Sequence, residues 1–341
     1  MQILVVQRRS NVATANFSLS IAARISEVLD YLALCCGVSP IQMGAQEITD
    51  RVLINADVVF FNKHLSVNAF RLAEKAKKHG CLIIYDIDDY LFEFPQYSGA
   101  RGVSNSTLKT FLDLADYVTV ANERLRAEMS GLRSDAILMP NGFFMEKYLP
   151  VNGKERSPPC IILTNADELK IQHFKGKFLT LLQNFFHKYQ DTDLDFFGDQ
   201  IAERISLPFM HYTERIPYED YLYCLRAGGY IFAIVPLGGK EDEASFKFNS
   251  CKNPFKYLNY GGLKIPGIYS RSPIYEEVIE HGRTGLLVDN TPEAWGEAMK
   301  ELRENGALRA TIRQHAFEDV YENWHIRKQA DVLAQILGLA R

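Results

Sequence analysis

Carboxylates, lysines and a histidine stand at spacings that suit chemistry. Asp86, Asp88 and Asp89 fall in Tyr85-Asp-Ile-Asp-Asp-Tyr-Leu-Phe, directly after the apolar run Cys81–Tyr85. Carboxylates so placed can hold a metal, take a proton from a hydroxyl, orient a polar ligand or cap a turn. Three of them beside an apolar strand are a costly choice for packing alone. A role toward a polar ligand is therefore favoured, for Asp88 and Asp89 above Asp86 because they stand further along the loop. Lys252, Asn253 and Lys256 open a helical pattern, with Pro254 near its first turn. On a helix, residues four apart share a face, and a helix start with two cations suits an anion such as phosphate. An arbitrary lysine pair is more often a solvated basic face. His64 follows the run Ala56–Phe61 with two residues between; a lone loop histidine is more often incidental than catalytic.

These groups act only if elements bring them together. Ile3–Val6, Ala56–Phe61, Cys81–Tyr85, Tyr117–Val120 and Ala136–Met139 read as buried strands. Ser18–Leu34, Val67–His79, Leu108–Ala115 and Glu123–Met129 carry helical spacing between them. Continuous apolar runs alternating with helices predict a doubly wound parallel sheet. Tyr148–Pro159 has the Pro, Gly and charge content of a linker. The alternation restarts with the strand Cys160–Thr164, a helix over Phe174–Tyr189, the strand Leu194–Phe197, a helix over Tyr218–Ala227 and the strand Tyr230–Val235. A loop at Phe246–Cys251, a helix over Pro254–Tyr260, a strand at Ile265–Tyr269 and a helix over Pro273–His281 follow. The strand Leu286–Val288, a helix from Thr291-Pro292 and one helical segment, Ala310–Leu339, complete the reading. Two α/β halves are expected, residues 1–150 and 151–341, with ligands at the carboxyl ends of their strands.

A chain of 341 residues can bury two such cores. Apolar residues at 47% and charged residues at 23% exclude disordered and collagen-like classes. The net charge of −4 supplies no basic field, so no nucleic-acid partner is expected. The cysteines form no C-x-x-C pair and no zinc spacing. Cys35, Cys81, Cys160 and Cys224 sit in apolar runs and read as small buried hydrophobes, reduced in a cytoplasmic protein. The first residues lack a charged leader and no window approaches eighteen apolar residues, so neither export nor a membrane span is expected.

The stretch Lys252–Leu302, KNPFKYLNYGGLKIPGIYSRSPIYEEVIEHGRTGLLVDNTPEAWGEAMKEL, adds a resemblance. It is similar to the C-terminal half of the large group of retaining GT-B glycosyltransferases that use nucleotide sugars. Their pattern runs roughly K-x-x-E-Y-x-x-x-G-x-P-V-I-x-S, then E-x-I-x-x-G-x-x-G-x-L-V, then an acidic-Trp helix. LADYVTVANERLRAEM with ILMPNGFF, then LDFFGD and IPYEDYLYCLRAGGYIFAIVPL, resemble further parts of that fold.

The resemblance implies two facing Rossmann-like domains, an acceptor-binding first domain, a donor-binding second domain and a last helix that crosses back. It implies transfer of a sugar from a nucleotide diphosphate sugar to a hydroxyl of a glycan or lipid-linked glycan, without a further cofactor. Such an acceptor admits peripheral contact with the inner face of a membrane. Lys252, Asn253 and Lys256 would hold the diphosphate, with Lys170 and Lys175 as counterparts of the family's second basic pair. Asn259 would meet a ribose hydroxyl, and the amides of Ser272, Ile274 or Tyr275 would face phosphate or sugar. His64 would lie near the sugar, and Asp88 and Asp89 would serve the acceptor hydroxyl. The D-x-D metal motif belongs to a different glycosyltransferase fold, so no metal site is expected at Asp86 and Asp88.

The chain departs from the family pattern in three places. Gln7-Arg8-Arg9-Ser10-Asn11 replaces a Gly-Gly loop, the Gly-Arg start before Lys170 is absent, and Cys251 and Asn259 replace two glutamates. Glu241, Asp242 and Glu243 lie just upstream, where a shifted loop would let one of them substitute. The alternatives are a catalytically inactive GT-B protein that binds nucleotide or glycan as a partner or scaffold, and a GT-B epimerase.

Overall fold

The computed structural model describes residues 1–8, 18–94, 102, 104–149, 155–164, 172–198, 210–237 and 243–339, with the backbone alone at 172–175. The first half contains β1 (Gln2–Gln7), α1 (Leu19–Ile21), a π-helical turn (Ala22–Ser26), α2 (Glu27–Cys36), β2 (Ser39–Gly44), α3 (Asp50–Ile54) and β3 (Val58–Asn62). It continues with α4 (Val67–Lys78), β4 (Leu82–Ile87), α5 (Asn105–Leu114), β5 (Tyr117–Val120), α6 (Glu123–Met129) and β6 (Ile137–Leu138). The strands form one parallel sheet in the order β2-β1-β3-β4-β5-β6.

The second half contains β7 (Cys160–Thr164), α7 (Gln172–Lys188), β8 (Asp193–Gly198), β9 (Met210–Glu214), α8 (Tyr218–Ala227), β10 (Phe232–Val235) and α9 (Glu243–Ser250). Then come α10 (Phe255–Gly262), β11 (Gly267–Ser270), α11 (Pro273–Glu276), β12 (Leu286–Val288), α12 (Pro292–Glu304), α13 (Gly306–Asn323) and α14 (Ile326–Ile336). This sheet is also parallel, in the order β12-β11-β10-β7-β8-β9.

The apolar runs fold as the sequence reading expects because both faces of each central strand are covered: β3 and β10 are buried at every residue. Helix starts follow their side-chain caps. Ser66, Ser104, Asn122 and Thr291 each accept a hydrogen bond from the amide three residues on.

Several expectations need correction. The helix read as Ser18–Leu34 contains the π-helical turn, and π turns often mark functional sites. Phe246–Cys251, read as a loop, lies mostly in α9. Ala310–Leu339 is two helices, not one, broken at Trp324-His325 where the His325 ring caps α14. Cys81 and Cys160 are buried, but Cys35 and Cys224 are exposed. Leu32 and Leu225 of the same helices face the core, while the cysteines face out.

α14 packs on α2 of the first half. Its Gln329 side chain donates to Arg24 O at 2.7 Å and accepts from Gly142 N at 2.9 Å. The crossing passes so close to Gly142 that a Cβ there would lie 2.5 Å from Ile326 Cα. Glycine is required at that point of the Pro-Asn-Gly turn. Among the described residues no helix is long and apolar enough to cross a membrane.

Candidate active site

β3 and β4 end side by side, and their last residues build a buried polar network. Asp86, near the end of β4, takes a bidentate pair from Arg24 of the π-helical turn: Nε to Oδ2 and Nη2 to Oδ1, both 2.8 Å, with both side chains fully buried. Thr119 Oγ1 donates to Asp86 Oδ1 at 2.6 Å, and Asn62 Nδ2 donates to Asp86 Oδ2 at 2.8 Å and Asp88 Oδ1 at 2.9 Å. Arg24 Nη1 also donates to Asn141 Oδ1 at 2.7 Å. Asp86 is therefore the counter-ion of Arg24.

Lys63 follows β3 with a φ of +49°, in the left-handed region that side chains avoid. Its amide donates to Asp86 O at 2.9 Å and its carbonyl accepts from Arg8 Nη1 at 3.0 Å. The strained backbone turns the ammonium inward, where it pairs with Asp88 at 2.8 Å and with Asp89. Burial opposes charge on Lys63, but the two carboxylates outweigh it and hold its pKa above the usual lysine value. Burial likewise opposes charge on Asp88, yet Lys63 and Arg24 hold its carboxyl below the usual range.

Asp88 thus departs from its expected role. A buried carboxylate neutralised by Lys63 makes a weak base, and the part of Asp88 that reaches across to the second half is its backbone carbonyl. Asp89 pairs with the same Lys63, but unlike buried Asp88 its side chain is one-third exposed, so a hydroxyl from the cleft can still reach it.

A cleft of about 310 Å³ opens between the halves. Leu19, Ser20, Ala23, Asp88 and Asp89 border it from the first half. Thr164, Phe197, Gly198 and Glu214 border it at the carboxyl ends of β7, β8 and β9, with Tyr218 and Tyr221 of α8 beside them. Lys252, Asn253, Phe255 and Lys256 close the remaining side. Ligand sites of open α/β sheets lie at such strand ends.

The wall of the second half is rich in hydroxyls. Thr164, Tyr221 and Tyr260 form a ring of three, with contacts of 2.8, 3.1 and 2.8 Å. Burial pushes the Tyr221 and Tyr218 hydroxyls up, so both stay protonated near neutral pH. Tyr218 donates to Asn259 Oδ1 at 2.8 Å. Asn259 is buried behind Tyr218 and reaches the cleft through it, rather than lining the wall as expected for a ribose ligand.

The turn before α10 differs from the sequence reading as well. Pro254 occupies the cap position, so Lys252 and Asn253 precede the helix and Lys252 shares no helical face with Lys256. Both lysines nonetheless border the cleft. The first intrahelical bond is Leu258 N to Pro254 O at 3.1 Å, which leaves the preceding amides at the helix start. Asn253 Nδ2 donates to Asp88 O at 2.6 Å, and its buried Oδ1 has no hydrogen-bond partner among the described residues.

The other expected residues lie away from this cleft or outside the described residues. His64 is buried edge-on to Phe61, 5.4 Å between centroids, and neither ring nitrogen has a hydrogen-bond partner among the described residues. Burial and the Arg8 charge push its pKa down to about 3, so the ring is neutral, and it does not border the cleft. Ser272 precedes α11, and its buried Oγ lacks a partner among the described residues. Ile274 and Tyr275 are core side chains, and the Tyr275 amide is spent on Ser272 O at 3.0 Å, which removes it as a phosphate donor. Lys170, Glu241, Asp242 and the loop Arg9–Asn11 lie outside the described residues, and of Lys175 only the backbone in α7 is described. Glu243 opens α9.

Lys63, Arg24, Thr164, Tyr218 and Tyr221 escaped the sequence reading. Thr164 alone carried a signal, as the last residue of an apolar strand.

No family model and no curated protein matches this chain. Among solved structures, Anabaena HepE in complex with UDP and glucose is similar over 99% of both chains, at 12% identity and a TM-score of 0.63. Sucrose-phosphate synthase of Thermosynechococcus elongatus is similar over 99% of this chain and 98% of its own, at 12% identity and a TM-score of 0.64. The chain has the GT-B fold. A glycosyltransferase of Rickettsia africae shares the GT-B arrangement over 98% of this chain and 97% of its own, at 14% identity and a TM-score of 0.62. In GT-B terms, the cleft lies between the two Rossmann-like sheets, and α14 is the helix that returns to the first.

Proposed function

We propose that this GT-B protein transfers a sugar from a nucleotide diphosphate sugar to a hydroxyl of a glycan or glycolipid. The observation that carries the reading is the cleft itself. It sets the cationic turn Lys252–Lys256 opposite Asp89, at the carboxyl ends of both sheets. Residues 1–150 would form the acceptor domain and residues 151–341 the donor domain. HepE, of the same fold, binds UDP-glucose, which supports this class of donor.

The donor diphosphate would lie against Lys252, Lys256 and the first amides of α10. These groups neutralise the charge that grows on the leaving phosphate as the glycosidic bond breaks. Asn253, anchored through Nδ2, would turn its Oδ1, which has no partner among the described residues, to a ribose or sugar hydroxyl. Phe197, Phe255 and Tyr218 would bed the apolar faces of base and sugar. Asp89 would orient the acceptor hydroxyl or take its proton. The resemblance over Lys252–Leu302 supports a hexosyl-type group moved with retention, although Cys251 and Asn259 supply no carboxylate there. A lipid-linked acceptor would bring the protein to the cytoplasmic face of a membrane.

Transfer should need no divalent metal, because Arg24 and Lys63 already neutralise Asp86 and Asp88. Turnover of UDP-, GDP-, ADP- and dTDP-sugars in excess EDTA is the test. Activity with one donor class is the expected result. Activity restored only by manganese would promote the carboxylates to metal ligands, and binding without turnover would favour the inactive reading.

Asp88 and Asp89 should separate cleanly. Asp88→Asn removes charge beside buried Lys63 and is expected to cost about 1–3 kcal/mol of stability, read from a denaturant midpoint. Asp89→Asn should leave stability within about 1 kcal/mol and lower turnover on the order of a hundredfold or more. Full activity in Asp89→Asn would remove it from the acceptor site.

A further inference from the structure

The turn that carries Lys252 and Asn253 is gripped by the other half of the molecule. Cys251 is buried in the apolar cluster of the first half, with Phe248 packed against it. The Phe248 and Phe94 rings stand 5.4 Å apart, and Lys247 pairs with Glu128 of α6 at 2.9 Å. Asn122 joins the two sides. Its Oδ1 caps α6 by accepting from Leu125 N at 2.9 Å, while its Nδ2 donates to Cys251 O at 3.0 Å and Lys252 O at 3.2 Å. With the Asn253 bond to Asp88 O, three consecutive residues of the second half are tied to the first.

We propose that Asn122 is a positioning residue for the cationic turn. The first half then sets where Lys252 and Asn253 stand relative to Asp89, and the diphosphate is held at full strength only when the halves are engaged. The reason is entropic. A lysine is a point charge on a flexible stem, and each side chain or loop that a ligand must order subtracts from binding. Fixing the backbone carbonyls of residues 251 and 252 pays that cost before the ligand arrives. The ligand part of this inference rests on the donor reading above; the mechanical part does not.

Asn122→Asp isolates the contact. A carboxylate keeps the cap and is favoured at a helix N-terminus, but it has no proton to donate to the two carbonyls. The melting temperature should stay within about 2 °C. Amide hydrogen exchange across residues 251–257 should quicken by about tenfold. The parent is titrated with UDP, GDP, ADP and dTDP; whichever binds should bind the variant about fivefold or more weakly, with its nucleoside unaffected. Unchanged exchange across 251–257 overturns the proposal whether or not any nucleotide binds. Quickened exchange with unchanged diphosphate affinity also overturns it, because the turn would not need Asn122 to hold its ligand. A parent that binds no diphosphate overturns the donor reading, and the exchange result then decides the role of Asn122 by itself.

Discussion

Lys252→Ala and Lys256→Ala are each expected to weaken binding of a nucleoside diphosphate by about 1–3 kcal/mol, the worth of a charge-assisted hydrogen bond to phosphate. Binding of the nucleoside should change far less, since neither lysine is needed to bed a base. Both side chains are half-buried on the cleft wall, so their removal should leave the fold intact. Calorimetric titration of parent and variants with diphosphate and nucleoside gives the difference directly. The loss should shrink as salt is raised, because these are partly solvated charges. Equal affinity of parent and variants for the diphosphate would move the phosphate elsewhere in the cleft.

The second large effect is on stability. Lys63→Ala leaves buried Asp88 without its ammonium and deprives Asp89 of its partner. Breaking one side of a buried ion pair typically costs about 3–5 kcal/mol, because the remaining charge stays desolvated. Alanine also inherits the left-handed backbone at this position without the ion pairs that hold lysine there. Guanidinium unfolding should show a loss of that size with little change in the slope of the transition. A loss under about 1 kcal/mol would mean that the carboxylates find water when Lys63 is gone.

The central strands were legible because both of their faces are covered, which forces uninterrupted apolar runs such as Ile3–Val6 and Cys160–Thr164. Of the four edge strands, β6 and β12 were legible as short apolar runs, but β2 and β9 were not. β2 reads Ser-Pro-Ile-Gln-Met-Gly and is mostly exposed, and β9 reads Met-His-Tyr-Thr-Glu at the other sheet's margin. Helix α9 hid for another reason: its apolar residues Phe248 and, just beyond it, Cys251 pack on the first half, so the segment shows no stripe toward its own sheet.

For the site, a strand end pointed to Asp88 and Asp89 and a cationic helix start pointed to the Lys252 turn, and all of these border one cleft. The ion pairs that divide their roles were invisible. Lys63 sits in Asn-Lys-His after a strand, a setting that reads as a solvated loop, and its partners are more than twenty residues away. Arg24 lies within a helical apolar pattern and meets Asp86 across the sheet. Long-range pairing of this kind leaves no local periodicity to read.

The return of α14 to the first half has a consequence for the order in which the molecule is made. Ile326, Ala330, Leu333 and Ile336 belong to the same buried cluster as Ile3, Val5, Val28 and Leu32. As the polypeptide leaves the ribosome, β1 and α2 emerge before α14, so the side of α2 that receives α14 stays bare until residues 326–336 follow. Domains usually mature in the order of their synthesis. Here the half translated first is the half finished last, and the nascent chain carries an open greasy seam until residues 326–336 emerge.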